Sequence, residues 1–184
     1  DALRVLGIET ALTNKDIQDL IRDSYKNLTN EENVADVDEG KTRFSIKGND
    51  ALSNLHKASS TIHKWIENNV RGKSFQIELP ESVSRQVRRE MGRDFESHNI
   101  TANGIAHALK NHGVNGLKLT ESSIPLRKKD MELIPYIMVA PDRVSKGTAD
   151  ASGRESVRFY KTINNGSVVV EEKENKNSKD DMET

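Results

Sequence analysis

Two stretches of this chain carry residue types that can do chemistry. Thr101–Gly113, TANGIAHALKNHG, holds His107, Lys110 and His112, and Ser156–Lys173, SVRFYKTINNGSVVVEEK, holds Arg158, Tyr160 and Lys161. Imidazole titrates near neutrality, so it can take or give a proton. A nearby ammonium stabilises charge growing on a phosphate oxygen. An arginine fork suits phosphate bidentately, and a tyrosine ring can stack a base. A helix offering a base, packed on strands offering cations, would make a metal-free site for cutting a phosphodiester.

Spacing supports the helix half of that picture. At about 100° per residue, His107 lies about 60° from Lys110 and about 40° from Asn111, so the three share one face, away from Ile105 and Leu109. The same spacing fits an ordinary solvated face. His112, just before Gly113, is placed to cap carbonyls and to have its pKa raised by the negative end of the helix dipole. In the strand, Val157, Phe159, Lys161 and Ile163 share one face, and Arg158 and Tyr160 share the other. Arg85, Arg88, Arg89 and Arg93 follow helical spacing. They could track a phosphate row or pair with acids such as Glu90 and Asp94. His56 and His63 read as surface.

The elements that must position these residues follow from periodicity. Ile17, Leu20, Ile21, Tyr25 and Leu28 predict a helix after Thr13 and Asn14. Residues 29–43 are polar and acidic and read as a linker, and Phe44 and Ile46 as a very short strand. Asp50 opens a second helix with Leu52, Leu55, Ile62, Ile66 and Val70 on one stripe. Arg71-Gly72-Lys73 is a breaker. It sets a boundary between a helical N-terminal region, residues 1–70, and a second α+β domain, residues 74–184.

In that second domain Ser74–Leu79 alternates as a strand. Pro80 and Ser82 open a helix through Val83, Val87, Met91 and Phe95. Thr101 caps the next helix, which Gly113 ends. Leu117–Leu126 reads as extended, Asp130–Val139 as helical turns broken at Pro135, and Ala140–Gly153 as loop. Asn164-Asn165-Gly166 marks a hairpin turn. From Asn175 onward the chain reads as a solvated tail.

Composition bounds the partners. The net charge of −1 gives no overall pull towards nucleic acid, so any basic surface must be local. With no cysteine, disulfides, thiolate metal sites and cysteine catalysis are excluded, which suits a reducing cytoplasm. No apolar run approaches the roughly 20 residues that span a bilayer. No metal-ligand cluster, Gly-rich phosphate loop, HExxH or GxSxG motif is present. No cofactor is expected, and the chain is expected to be part of something longer.

The run His107-Ala108-Leu109-Lys110-Asn111-His112-Gly113 resembles the helix motif of the phage-type barnase/EndoU/colicin/RelE-like nucleases. The resemblance continues through Lys129–Pro135 and Ala140-Pro141-Asp142 to Arg158-Phe159-Tyr160-Lys161, and covers roughly Phe75 to Lys173. It implies an α+β fold with helices packed on a small antiparallel sheet. It also implies a metal-independent endoribonuclease, a toxin or mobile-element module that activates the ribose 2′-OH and leaves a cyclic phosphate. His107, Lys110, Arg158 and His112 would then be catalytic, and Tyr160, Lys161, Arg154 and Arg89 would bind RNA, tRNA among the candidates.

An immunity or antitoxin protein is the partner implied for a toxin acting in a cytoplasm. The rival function is a binding module that keeps the fold without a working site. Such domains continue beyond the hairpin to a further strand bearing a Ser or Thr. That strand is expected to be missing here, leaving a sheet edge through which the chain would form a homodimer.

Overall fold

The structure, a computed structural model, describes residues 19, 22, 42–45, 50–118, 125–163, 166–178 and 180–184. The helix expected over Ile17–Leu28, apart from Asp19 and Arg22, lies outside the described residues. So do most of the stretch 29–43, Ile46, much of Leu117–Leu126, and Asn164 and Asn165. The described elements are β1 Thr42–Phe44, α1 Ala51–Glu67, β2 Ser74–Ile77, α2 Glu81–Met91, β3 Ser97–Thr101, α3 Ala102–His112, α4 Lys128–Met131, α5 Ile134–Val139, β4 Arg143–Lys146, β5 Ser156–Ile163, β6 Gly166–Glu174 and β7 Asp181–Glu183.

The strands form one seven-stranded sheet in the order β1-β2-β3-β7-β6-β5-β4. With its helices this is an α+β fold, as expected. The sheet is larger than the small antiparallel one implied, and it is mixed, because β1 runs parallel to β2 and β3 parallel to β7. Period-two alternation gives it two unlike faces. Phe75, Ile77, Ile100, Val144, Val157, Phe159, Val170 and Met182 lie on the face that joins the buried core with α1, α2, α3 and α5. The other face carries polar, half-exposed side chains.

Residues 42–70 share this sheet and core. β1 pairs with β2, and α1 packs against α3, α4 and α5 through a stripe of Ala51, Leu55, Ala58, Ile62 and Trp65. Asp50 stands at the N-cap of α1 without a side-chain cap bond. Gly92 closes α2 at φ 76°, a conformation that glycine adopts without strain. Pro135 sits in the first turn of α5, where its missing N–H costs nothing, so it starts a helix rather than breaking one.

The final strand is present. The stretch read as a solvated tail supplies β7, which lies between β3 and β6 near the middle of the sheet. The edge from which dimerisation was expected is therefore filled by the chain itself. Three residues suffice because the flanking strands reach over to hold them. Ser97 bonds Asp181, Asn99 Nδ2 donates to the Met182 carbonyl at 3.0 Å, and the Thr184 amide donates to the Asn99 carbonyl at 2.9 Å. Thr101 Oγ1 donates to the Thr184 carbonyl at 3.0 Å, and the Thr101 amide donates to Thr184 Oγ1 at 3.1 Å. Arg93 bonds Glu174 and lies 3.6 Å from Asp180. Beneath β7, His98 of β3 and Glu172 of β6 meet at 2.6 Å in the core.

Met182 is the one apolar side chain of β7 and is fully buried. Met182→Ala should cost about 2–5 kcal/mol, the usual loss for a buried methionine truncated to alanine. Urea denaturation followed by circular dichroism measures it. A loss under about 0.5 kcal/mol, the range of exposed sites, would mean that β7 does not hold the sheet.

Candidate functional site on the polar sheet face

The register of three adjacent strands builds a polar cluster. Arg158 of β5 stands opposite Ser145 of β4 and Glu171 of β6, and Tyr160 stands opposite Arg143. Directly opposed residues of an antiparallel pair share a face and touch. Arg158 Nε donates to Glu171 Oε1 at 3.0 Å, and Ser156 Oγ donates to the same oxygen at 2.9 Å. The Ser145 hydroxyl reaches the Tyr160 hydroxyl at a long 3.5 Å. The Arg143 guanidinium lies 3.9 Å from the Tyr160 ring centroid, a cation–π contact that covers one face of the ring.

These contacts set the charges. The Ser145 hydrogen bond holds the Tyr160 pKa below its ordinary value, helped by the hydrogen bond and charge of Arg158 and by the charge of Arg143, while partial burial opposes the shift. The hydrogen bond to Glu171 raises the pKa of Arg158, which keeps its charge. Behind the cluster the chain leaves β4 at Gly147. A Cβ there would stand 2.1 Å from Ser156 Oγ and 3.1 Å from Arg158 Nε, so only glycine lets the backbone pass this close.

The residues expected to bind RNA are dispersed. Tyr160 belongs to the cluster. Lys161, as its alternation required, is on the opposite face, buried and bonded to Asp142 Oδ1 at 3.1 Å, so it is not offered to an external ligand. Arg154 is half-buried, 2.8 Å from Asp150 and 3.8 Å from Glu183. The Ser152 hydroxyl and amides of that turn lower the Asp150 pKa. Arg89 is exposed on α2 and pairs with Glu90 at 3.4 Å. The rest of the arginine stripe is also paired, Arg85 with Glu81 and Arg88 with Asp94. His56 and His63 are exposed, but each has a distant partner, Tyr136 and Glu132.

Helix α3 holds the histidines apart from this cluster. Thr101 caps it, accepting from the Gly104 amide at 2.9 Å, and Ala102 and Ile105 are buried. His107 is exposed, and its Nε2 takes a hydrogen bond from Asn111 Nδ2 at 2.8 Å. That bond leaves the neutral ring's proton on Nδ1. Asn111 itself is buried rather than solvent-facing, because the returning chain covers it and the Lys118 amide donates to its carbonyl. Lys110 is exposed and makes no ion pair with a described residue. No hydrogen bond or ion pair joins Arg158 to His107, Lys110 or His112 among the described residues.

His112 departs from expectation. Its pKa is lowered rather than raised, first by burial and then by the charges of Lys118 and His107. Gly113 ends α3 in an extended conformation, φ −71°, and bridges to Leu126. Its lack of a side chain is required because a Cβ would meet the Leu109 carbonyl at 2.3 Å.

Arg143, Ser145 and Glu171 were not singled out from sequence. Strand β4 has one apolar residue in four, too few to alternate visibly. Glu171 could have been found by counting back along both strands from the Asn164-Asn165-Gly166 turn, which fixes Arg158 opposite Glu171. Among the described residues no three His, Asp or Glu side chains gather to hold a metal, and no described helix is long and apolar enough to cross a membrane.

A family model described as phage-Barnase-EndoU-ColicinE5/D-RelE like nuclease3 matches residues 81–182, more than half of the chain. The match runs from α2 to β7 and so includes the final strand. β1, α1 and β2 lie outside it, although the two strands complete the same sheet and the helix packs in the same core. No curated protein and no solved structure matches.

Two tyrosines should titrate well apart. Burial pushes Tyr136 up to about 12, while Tyr160 falls below its ordinary value. Ser145→Ala and Arg158→Gln should each move Tyr160 back up and leave Tyr136 in place. NMR titration of ring-labelled tyrosine follows both. An unshifted Tyr160 in both variants would show that these neighbours do not set its ionisation.

Proposed function

Because the chain belongs to the phage-type Barnase-EndoU-Colicin-RelE like nuclease family, we propose that its polar sheet face cuts RNA without a metal, by attack of a ribose 2′-OH on the adjacent phosphate. One observation carries this reading. Two arginines and a hydroxyl of lowered pKa stand together on adjacent strands, with a carboxylate bonded to one arginine. Arg158 uses Nε on Glu171 and a further N–H on Tyr160, and its remaining N–H groups can take a phosphate. Arg143 adds a second cation. Together they would stabilise the charge that develops on the non-bridging oxygens. The Tyr160 hydroxyl, made more acidic by its neighbours, would give its proton to the departing 5′ oxygen. With Arg143 over its ring, Tyr160 serves by its hydroxyl rather than by stacking a base.

His107 is worse placed for the proton work. Its Nε2 is engaged by Asn111, and no described cation of the sheet face touches it. The assay that separates the two sites uses RNA oligonucleotides in EDTA, with products resolved as 2′,3′-cyclic phosphate and 5′-hydroxyl ends. Cleavage should persist, and DNA, lacking the 2′-OH, should remain intact. Arg158→Ala should lower the rate by about 10²–10³, the usual worth of one preorganised donor. Tyr160→Phe should lower it by about 10²–10⁴, the range of general acid–base catalysis. His107→Ala should stay within a few-fold of wild type. A hundredfold loss in His107→Ala with an active Tyr160→Phe would move the chemistry to α3. No cleavage of any RNA would favour a binding module that keeps the fold.

A further inference from the structure

Glu171 has no part in that scheme beyond facing Arg158, yet its geometry is not that of a simple counter-ion. A carboxylate that only neutralises an arginine commonly takes it bidentately, one oxygen to each N–H. Here Oε1 accepts both bonds, from Ser156 Oγ at 2.9 Å and Arg158 Nε at 3.0 Å, and Oε2 accepts from no described residue. The side chain is 32% exposed, while Ser156 beneath it is fully buried. Gly147 backs the pair, since a Cβ there would stand 2.9 Å from Oε1. The carboxylate is thus held by one oxygen, and the other has no hydrogen-bond partner among the described residues.

We propose that Glu171 is the proton acceptor of the cleavage and that Ser156 positions it; the assignment rests on the reading of this face as a ribonuclease site. Glu171 and Tyr160 are diagonal neighbours across an antiparallel pair, their backbone positions about 7–8 Å apart, and Arg158 bonds both side chains. A phosphate held by Arg158 would have Glu171 on the side of its nucleophile and Tyr160 on the side of its leaving group. Glu171 Oε2 takes the proton of the 2′-OH as the 2′ oxygen bonds to phosphorus. The bond from phosphorus to the 5′ oxygen breaks, and that oxygen takes the Tyr160 proton. The products are a 2′,3′-cyclic phosphate and a 5′-hydroxyl. The proton on Glu171 returns to Tyr160 through solvent before the next turnover.

The test is steady-state cleavage of an RNA oligonucleotide by the full chain. Glu171→Gln keeps an oxygen for Ser156 and Arg158, so the fold is preserved, and thermal unfolding checks this. It should lose about 10²–10⁴ in kcat with KM within a few-fold. It should also lose the acidic limb of the pH–rate profile. The charged and titratable groups sharing this face include Arg158 and Tyr160 on β5, Arg154 just before it, Arg143 on β4, Arg43 on β1, Lys173 on β6, and Asp181 and Glu183 on β7, and all are retained. Glu171→Asp should restore part of the rate. Ser156→Ala should lose about tenfold in kcat and keep the acidic limb, because a positioning residue leaves the base in place.

An unchanged kcat in Glu171→Gln, or a loss confined to KM, would overturn the assignment while the wild type still cleaves. A wild type that cleaves no RNA would overturn the functional reading and this assignment with it.

Discussion

The sheet depends on the seating of β7. Three residues, Asp181–Glu183, run parallel to β3 and antiparallel to β6, and without them the sheet would be two pieces: β1-β2-β3 on one side and β6-β5-β4 on the other. A strand this short cannot hold by its ladder alone. Side chains supply the remainder. Ser97, Asn99 and Thr101, all on one face of β3, reach across to the β7 segment, and Met182 fills the core beneath. The buried His98–Glu172 pair spans the same gap on the core side. Removing one partner would leave a buried polar group without its hydrogen bond, so the pair commits β3 and β6 to a single spacing.

Much of the fold was legible because long elements announce their period. The helix α2, with Val83, Val87 and Met91 buried, and the hairpin β5–β6 match the pattern read from sequence. What escaped was short. β4 and β7 have one apolar residue each, Val144 and Met182, and their neighbours are charged or polar. Such strands are made by tertiary partners rather than by propensity, and a local reading assigns them to loop or tail. β3 was lost to the helix that follows it, because Thr101 both ends the strand and caps α3.

The site was legible in half. Alternation placed Arg158 and Tyr160 together on one face, as found. It also placed Lys161 with Phe159, which already implied burial, so its grouping with the RNA-binding residues ignored the pattern that defined the strand. The helix motif drew attention to His107 and Lys110, yet helical angles cannot say which sheet face a helix lies against. Nor could they foresee that the chain after Gly113 folds back over Asn111 and beside His112, so that burial and Lys118 lower the His112 pKa. Glu171 was hidden by its setting in an acidic run, where one carboxylate looks like the next until register distinguishes them.

The place of β7 also orders events in time. Ser97 and Asp181 are 84 residues apart in the chain, and everything that lines the polar face between β4 and β6 is made in that interval. Closing so long a loop must precede any reward from the contacts it allows, which makes the joining of the two half-sheets a late and slow step. On the ribosome, β3 waits with an unpaired edge until the last of the seven strands has been synthesised. Arginines, hydroxyl and carboxylate therefore acquire a rigid foundation only once β7 has joined the two half-sheets.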